Sequence, residues 1–293
     1  MSLLPRKINE IQSLRAFSII SIILYHSDIY IFNKDLFRAG FLGVDVFLVI
    51  SGYLIFKSLD TENITKNFWI SLKNFYFKRV KRILPLLIIV IFFTNFFSIY
   101  LLSFYDYLKF YKSINSALFF YSNWFFETNN TVYGSEDASL KPLIHLWSLS
   151  VEMQIYALFP FIIYFCRYLN EKNILIGLLL FFFISLLYSE YLSRLNQSSN
   201  YYSSISRLWE FLSGAILAFL TGKNKLKFNN THSNLLIIFG FSLLFFSLIY
   251  FNDKFRHPSF ISMIPIFGSV IIILGLQNFK HALLSKILNL KPI

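Results

Sequence analysis

Arg15 and His26 are the first pair of side chains in this sequence whose placement asks for chemistry rather than packing. They lie 11 residues apart within the apolar stretch 14–32. At 100° per residue a helix brings them back to one face within about 20°, about 16 Å apart along the axis. Ionisable groups inside a run of spanning length cost about 2.5–3.5 kcal/mol each on insertion scales, so they mark substrate, ion or proton paths by default. The local alternatives are that Arg15 snorkels to the headgroups and His26 caps a helix contact. A shared face favours a shared task.

Three further groups follow. His145-Leu146-Trp147-Ser148-Leu149-Ser150-Val151-Glu152 opens another apolar run. On a helix His145, Glu152 and Tyr156 fall within about 40° of one another, with Ser148 near that edge. Trp147 and Tyr156 suit an interfacial aromatic belt, whereas Glu152 is a carboxylate about two turns into the run. Asp45 stands early in the apolar stretch 40–57, where Gly43 and Gly52 permit close helix approach. Arg79 and Arg82, spaced i, i+3 just before Pro85, can face one cavity and clamp an anion such as a nucleotide phosphate. A lipid phosphate suits their spacing equally. No His, Cys or carboxylate set has metal-ligand spacing, since His232, His257 and His281 are scattered in predicted loops.

The elements that must position these groups follow from composition. The chain has 293 residues, 56% hydrophobic, 20% aromatic and 14% charged, with mean hydropathy +0.58. Soluble chains carry about 25% charged residues, so a water-soluble enzyme, a disordered tail and a nucleic-acid-binding domain are excluded. The single Cys166 rules out an internal disulfide. Apolar runs near 14–32, 40–57, 83–103, 145–166, 173–190, 205–222, 234–251 and 260–277 predict about eight spans, an all-α polytopic membrane bundle. The aromatic stretch 104–126 carries Asp106, Lys109, Lys112, Asn115 and Asn123. Treated as a re-entrant or interfacial helix in one outer loop, it leaves 17 basic residues inside against 9 outside. Treated as a span, it gives 14 against 12. The positive-inside rule prefers the first topology, with both ends cytoplasmic. The +12 net charge is then a topology signal and an attraction to anionic membrane lipid, with no role for nucleic acid. No linker or repeat divides residues 1–293, which read as one membrane domain.

Taken in order, these motifs resemble acyltransferase family 3, integral-membrane proteins that O-acylate bacterial surface polysaccharides and related acceptors. Arg15-Ala16-Phe17-Ser18 with Tyr25-His26 is similar to the family's first-helix motif. Gly43-Val44-Asp45-Val46-Phe47-Leu48-Val49-Ile50-Ser51-Gly52-Tyr53 is close to its most characteristic string. Arg79-Val80-Lys81-Arg82-Ile83-Leu84-Pro85, the His145 to Glu152 element and the looser Trp209-Glu210-Phe211-Leu212-Ser213-Gly214 complete the series. Met153 stands where a second Glu is common, and Leu290-Lys291-Pro292-Ile293 falls where two further family spans are expected.

The resemblance implies an O-acyltransferase in the bacterial inner membrane that takes an acetyl or other acyl group from cytoplasmic acyl-CoA, with no permanently bound cofactor. The acceptor would be a hydroxyl of a lipopolysaccharide, another surface polysaccharide or a lipid-linked precursor. It implies His26 as base or acyl carrier, with Glu152 or Asp45 orienting its ring. Arg15, Arg79 and Arg82 would hold the donor, and His145, Trp147, Ser148 and Ser150 would meet the substrate. The rival readings are a transporter or flippase of a lipid-linked glycan, using the same buried charges as a path, and an inactive truncated remnant.

Overall fold

Long apolar runs in lipid can satisfy their backbone only as helices or closed barrels, and the computed structural model is helical over nearly all of them. It describes residues 7–27, 30–31, 34–35, 38–61, 68–129, 131, 133, 141–168, 171–222, 228–252 and 255–278. Residues 28–29 and 32 of the first expected span, the basic segments 223–227 and 280–291, the Cys166 side chain, His281 and the phrase Leu290–Ile293 lie outside that description.

The chain runs α1 (Lys7–Tyr25), a short antiparallel pair β1 (Tyr30–Ile31) and β2 (Lys34–Asp35), a 3-10 turn (Gly40–Leu42), α2 (Gly43–Thr61) and α3 (Phe68–Leu101). Then come α4 (Phe104–Leu118), α5 (Ser122–Thr128), α6 (Leu146–Tyr168), α7 (Glu171–Leu195) and α8 (Gln197–Tyr202). The series closes with α9 (Ser204–Gly222), α10 (Asn230–Tyr250), a 3-10 turn (Phe260–Ser262) and α11 (Met263–Asn278).

Among the described residues, six stretches are long and apolar enough to cross a bilayer: Gly40–Leu59, Phe68–Leu101, Leu146–Phe165, Asn173–Leu195, Asn230–Tyr250 and Phe260–Gln277. The other two expected spans are helical too. In α1 the apolar part covers Ile11–Tyr25, and α9 carries Arg207 and Glu210 near its start. The architecture is the all-α polytopic bundle that hydropathy implied.

Two elements depart in detail from the hydropathy map. α3 begins at Phe68 and runs unbroken through Pro85 for 34 residues, about 51 Å at helical rise. Lys73, Lys78, Arg79, Lys81 and Arg82 therefore stand on a helical extension of the span rather than in a loop. Its apolar part exposes Leu86, Ile89, Phe93 and Phe97, a lipid-facing row. The 104–126 stretch forms two helices of 15 and 7 residues, each short of the roughly 20 a span requires. The break has a local cause: Phe120 sits at φ +55°, in the left-handed region that ends a helix. Its carbonyl accepts a 2.9 Å hydrogen bond from the Gln154 side chain.

The chain divides into two compact units, residues 1–57, 178–190 and 207–293, and residues 58–177 and 191–206. In the first, α2 and α9 cross with backbone against backbone. A Cβ on Gly52 would come 1.8 Å from the Phe211 carbonyl oxygen, and one on Gly214 would come 1.9 Å from that of Val49. Val49, Ile50, Tyr53, Phe211 and Leu212 surround the crossing and are buried. In the second unit, Leu87 and Ile91 of α3 pack with Phe110 and Ala117 of α4 and with Leu143.

Gly214→Val forces two backbones apart and is expected to destabilise by about 1–3 kcal/mol or more. Gly222→Val meets nothing within 4 Å and leaves stability near that of the parent. Thermal unfolding of both variants in detergent reads the difference.

Candidate active site

In the first unit the ionisable side chains gather at the start of α2. The turn Gly40–Leu42 and the first turn of α2 place Asp45 in full burial. One turn of α9 supplies both Arg207 and Glu210, also fully buried. Arg207 NH1 donates to Asp45 Oδ1 at 3.0 Å and to both Glu210 carboxylate oxygens at 3.3 Å. The segment between α10 and α11 adds His257, whose Nε2 lies 3.2 Å from the same Asp45 oxygen.

His257 Nδ1 is 2.9 Å from Ser262 Oγ, which in turn accepts the Ser259 N–H at 3.1 Å. The carboxylate at Nε2 favours a proton on that nitrogen, leaving Nδ1 to accept from the Ser262 hydroxyl. Burial holds the imidazole below its ordinary range, Asp45 pulls it back up, and Arg207 adds to the lowering. One guanidinium thus faces two carboxylates and a histidine held toward its neutral form. The cluster carries surplus negative charge unless one of its acids or the imidazole holds a proton.

Arg15 and His26 belong to the same unit. Arg15 is buried in α1, its guanidinium 5.6 Å from the centre of the Phe47 ring. His26 stands in the turn that closes α1, its N–H donating to the Ile22 carbonyl at 3.2 Å. It is exposed, with its ring edge-on to Tyr25 at 4.8 Å. Arg15 lies within the continuous helix Lys7–Tyr25 and His26 follows directly after it, one buried and the other open. Asp45, expected as a possible partner for His26, is instead held by Arg207 and His257.

The second unit holds the remaining candidates. The Arg79 guanidinium lies 5.1 Å from the Phe75 ring centre and 5.9 Å from that of Tyr156. The Tyr156 hydroxyl donates to Glu152 Oε1, so the predicted Glu152–Tyr156 stripe forms and reaches Arg79. Arg82, one turn away, is exposed, so the two arginines occupy different surroundings. Trp147 is buried among Tyr133, Tyr201 and Tyr202, with centroid distances of 5.7, 4.7 and 5.6 Å. His145 is exposed just before α6, 6.5 Å from the Tyr133 ring. Ser148 donates to the His145 carbonyl at 3.2 Å. Ser150 is buried, donates to the Leu146 carbonyl and accepts the Ser122 N–H, both at 3.1 Å. That ties α5 to α6, so its hydroxyl already serves the backbone. The buried Asn123 joins the half-buried Gln154 and Ser204 in a further network beside the Tyr202 carbonyl.

Sequence reasoning missed Arg207 and His257 as site residues and marked Glu210 only as part of the fifth motif. Arg207 sits at the edge of the apolar run 205–222, and its i, i+3 spacing from Glu210 inside a span is a signal by the burial-cost rule. His257 offers no such signal. Of the other scattered histidines, His232 lies within α10 rather than in a loop, and is exposed.

Comparison with known proteins decides the family. The family described as an acyltransferase domain, which the five motifs resemble, matches residues 8–290. The chain belongs to this acyltransferase family. It is 32% identical to O-acetyltransferase OatA of Staphylococcus aureus (strain NCTC 8325 / PS 47) over 304 aligned residues, covering 99% of the chain and 48% of that protein. It is 36% identical over 230 residues to a protein of S. aureus strain COL provisionally named an O-acetyltransferase, covering 76% of the chain and 36% of that protein. The chain thus spans half or less of the length of these curated relatives. No solved structure matches it.

Arg207→Leu leaves two buried carboxylates without their cation, and an expected loss of about 3–5 kcal/mol follows. Thermal unfolding and monodispersity in detergent report it. The lowered His257 implies a pH dependence of definite sign. Below the ordinary value of 6.5, the unfolded imidazole binds a proton that the folded one resists, so its contribution is present above pH 6.5 and is lost as pH falls toward the folded value. The drop in melting temperature between pH 7.5 and pH 5.5 should therefore be smaller in His257→Gln than in the parent.

Proposed function

We propose that this protein is a membrane O-acyltransferase. It moves an acetyl group from cytoplasmic acyl-CoA to a hydroxyl of a cell-surface glycan or its lipid-linked precursor. The observation that carries the reading is the similarity to a protein named O-acetyltransferase across 99% of the chain. The loop-charge asymmetry supports a multi-pass protein of the bacterial cytoplasmic membrane with its N-terminus inside.

The reaction balances without a redox partner: the acceptor O–H and the thioester C–S bond break, and the ester C–O and the thiol S–H bond form. His26 is the base that takes the acceptor proton and delivers it to the leaving thiolate. Its open position at the end of α1 supports that role, because a base must reach the proton it abstracts. Arg15, about 16 Å down the same helix face, draws the donor toward His26, since that distance approaches the reach of an extended pantetheine arm. Arg79 and Arg82 hold the phosphates of CoA, for which permanently charged guanidinium groups are suited. Glu152, joined to Arg79 through Tyr156, keeps that arginine oriented. Asp45 acts at longer range by organising the Arg207 cluster. His145 and Ser148 meet the acceptor, and the buried Trp147 supports them from within the Tyr133–Tyr201–Tyr202 cluster.

The test is CoA release by the purified full chain in nanodiscs, supplied with acetyl-CoA and a lipid-linked glycan. The parent should release CoA, and His26→Ala should reduce turnover by about 100-fold or more. A parent that releases none behaves as a transporter would, and an active His26→Ala removes the imidazole from the reaction. Mass spectrometry of surface glycans from cells with and without the gene should show the loss of an acetyl increment.

A further inference from the structure

His26 stands in the turn that closes α1, and the contacts behind it form one series within the first unit. The His26 ring meets Tyr25 edge-on at 4.8 Å, Tyr25 meets Phe41 at 5.8 Å, and Phe41 meets His257 at 4.9 Å, with interplanar angles of 71°, 76° and 64°. His257 in turn faces Asp45, and Asp45 is held by Arg207. The series ends in a cluster that has little freedom to move, because every member is buried and bonded.

The backbone is tight at the same place. A Cβ on Gly40 would lie 2.2 Å from the Ser21 carbonyl oxygen and 2.6 Å from the Tyr25 Cβ, and one on Gly43 would lie 2.5 Å from the Ser18 carbonyl oxygen. The end of α1 therefore rests directly on the turn that carries Phe41. Ala39, Phe41, Leu42 and Phe251 form a buried cluster there, with Tyr25 packed against it. A shift of Phe41 cannot be absorbed by an intervening gap and must reach Tyr25.

We infer that His257 is a positioning residue for His26. Its ring fixes Phe41, Phe41 fixes Tyr25, and Tyr25 sets the turn that carries the His26 imidazole, while Ser262 and Asp45 hold the His257 ring at its two nitrogens. This rests on the acyl-transfer reading for its catalytic consequence, but not for its structural one. Misplacement of a reacting group by about 1 Å can cost on the order of 100-fold in rate, so a small loosening at His257 is enough to matter.

Two variants test it in the full chain in nanodiscs. His257→Gln keeps a polar group and removes the ring, whereas Phe41→Leu leaves the charged cluster intact and removes the ring contacts on both sides. The first readout is the rate at which diethylpyrocarbonate modifies His26, mapped by peptide mass spectrometry against the exposed His232 as internal reference. The second is kcat and KM for acetyl-CoA. Both variants should change the His26 modification rate by about 3-fold or more and lower kcat by about 10-fold, with KM within about 2-fold.

If either variant is monodisperse and keeps the parental His26 rate and kcat, the inference is overturned, even if its melting temperature falls. If His257→Gln aggregates, Phe41→Leu decides. A parent that releases no CoA overturns the acyl-transfer reading alone, and the modification rates still decide the positioning role.

Discussion

The pairing of Arg207 with Asp45 and Glu210 is the constraint around which the first unit is organised. Three ionisable side chains without solvent contact can coexist only if their separations stay near hydrogen-bond length, because the loss of hydration is repaid only at short range. Asp45 Oδ1 at 3.0 Å and the Glu210 oxygens at 3.3 Å meet that demand. The start of α2 and the first turns of α9 are thereby held in register. The Gly52–Gly214 crossing further along the same two helices is the packing counterpart. Polar attraction fixes one place along the pair, and close backbone contact fixes another.

The second unit solves the same problem with less charge. Neutral polar groups carry much of it: the buried Asn123, Ser150 and Ser122 and the half-buried Gln154 and Ser204 hydrogen-bond to one another or to the backbone. Its ionisable residues are cushioned by rings, Arg79 by Phe75 and Tyr156, and Glu152 by the Tyr156 hydroxyl. A guanidinium over an aromatic face loses less on desolvation than one facing hydrocarbon. The arrangement keeps Arg79 partly buried, with Phe75 and Tyr156 covering its guanidinium.

Much of the architecture was legible in the sequence because hydropathy reports a solvent preference that every span must obey. The eight helical stretches and the short helices near 104–126 follow from that rule and from loop charge. What hydropathy could not locate was the N-terminal end of α3, because a helix can continue through Lys73 to Arg82 at no cost once it has left the lipid. The Glu152–Tyr156 contact was legible because i, i+4 spacing within one helix fixes proximity. The grouping of Asp45 with Arg207 and His257 was not, since these residues lie on three separate elements and their meeting depends on tertiary packing. The family motifs marked Asp45 and Glu210 without stating what lies between them, and the answer is an arginine outside every motif.

The length of α3 ties this protein to the thickness of its membrane. At about 51 Å the helix outruns a hydrocarbon core of about 30 Å, and it continues through Pro85 without an interruption that would uncouple its two parts. The lipid-facing row from Leu86 onward must stay in the acyl chains, so the depth of Arg79 is set by where that row settles. In a thicker bilayer the basic turns are drawn toward the headgroups, and in a thinner one they stand clear. Lipid chain length is then a variable acting on an arginine side chain, with a rigid helix as the ruler.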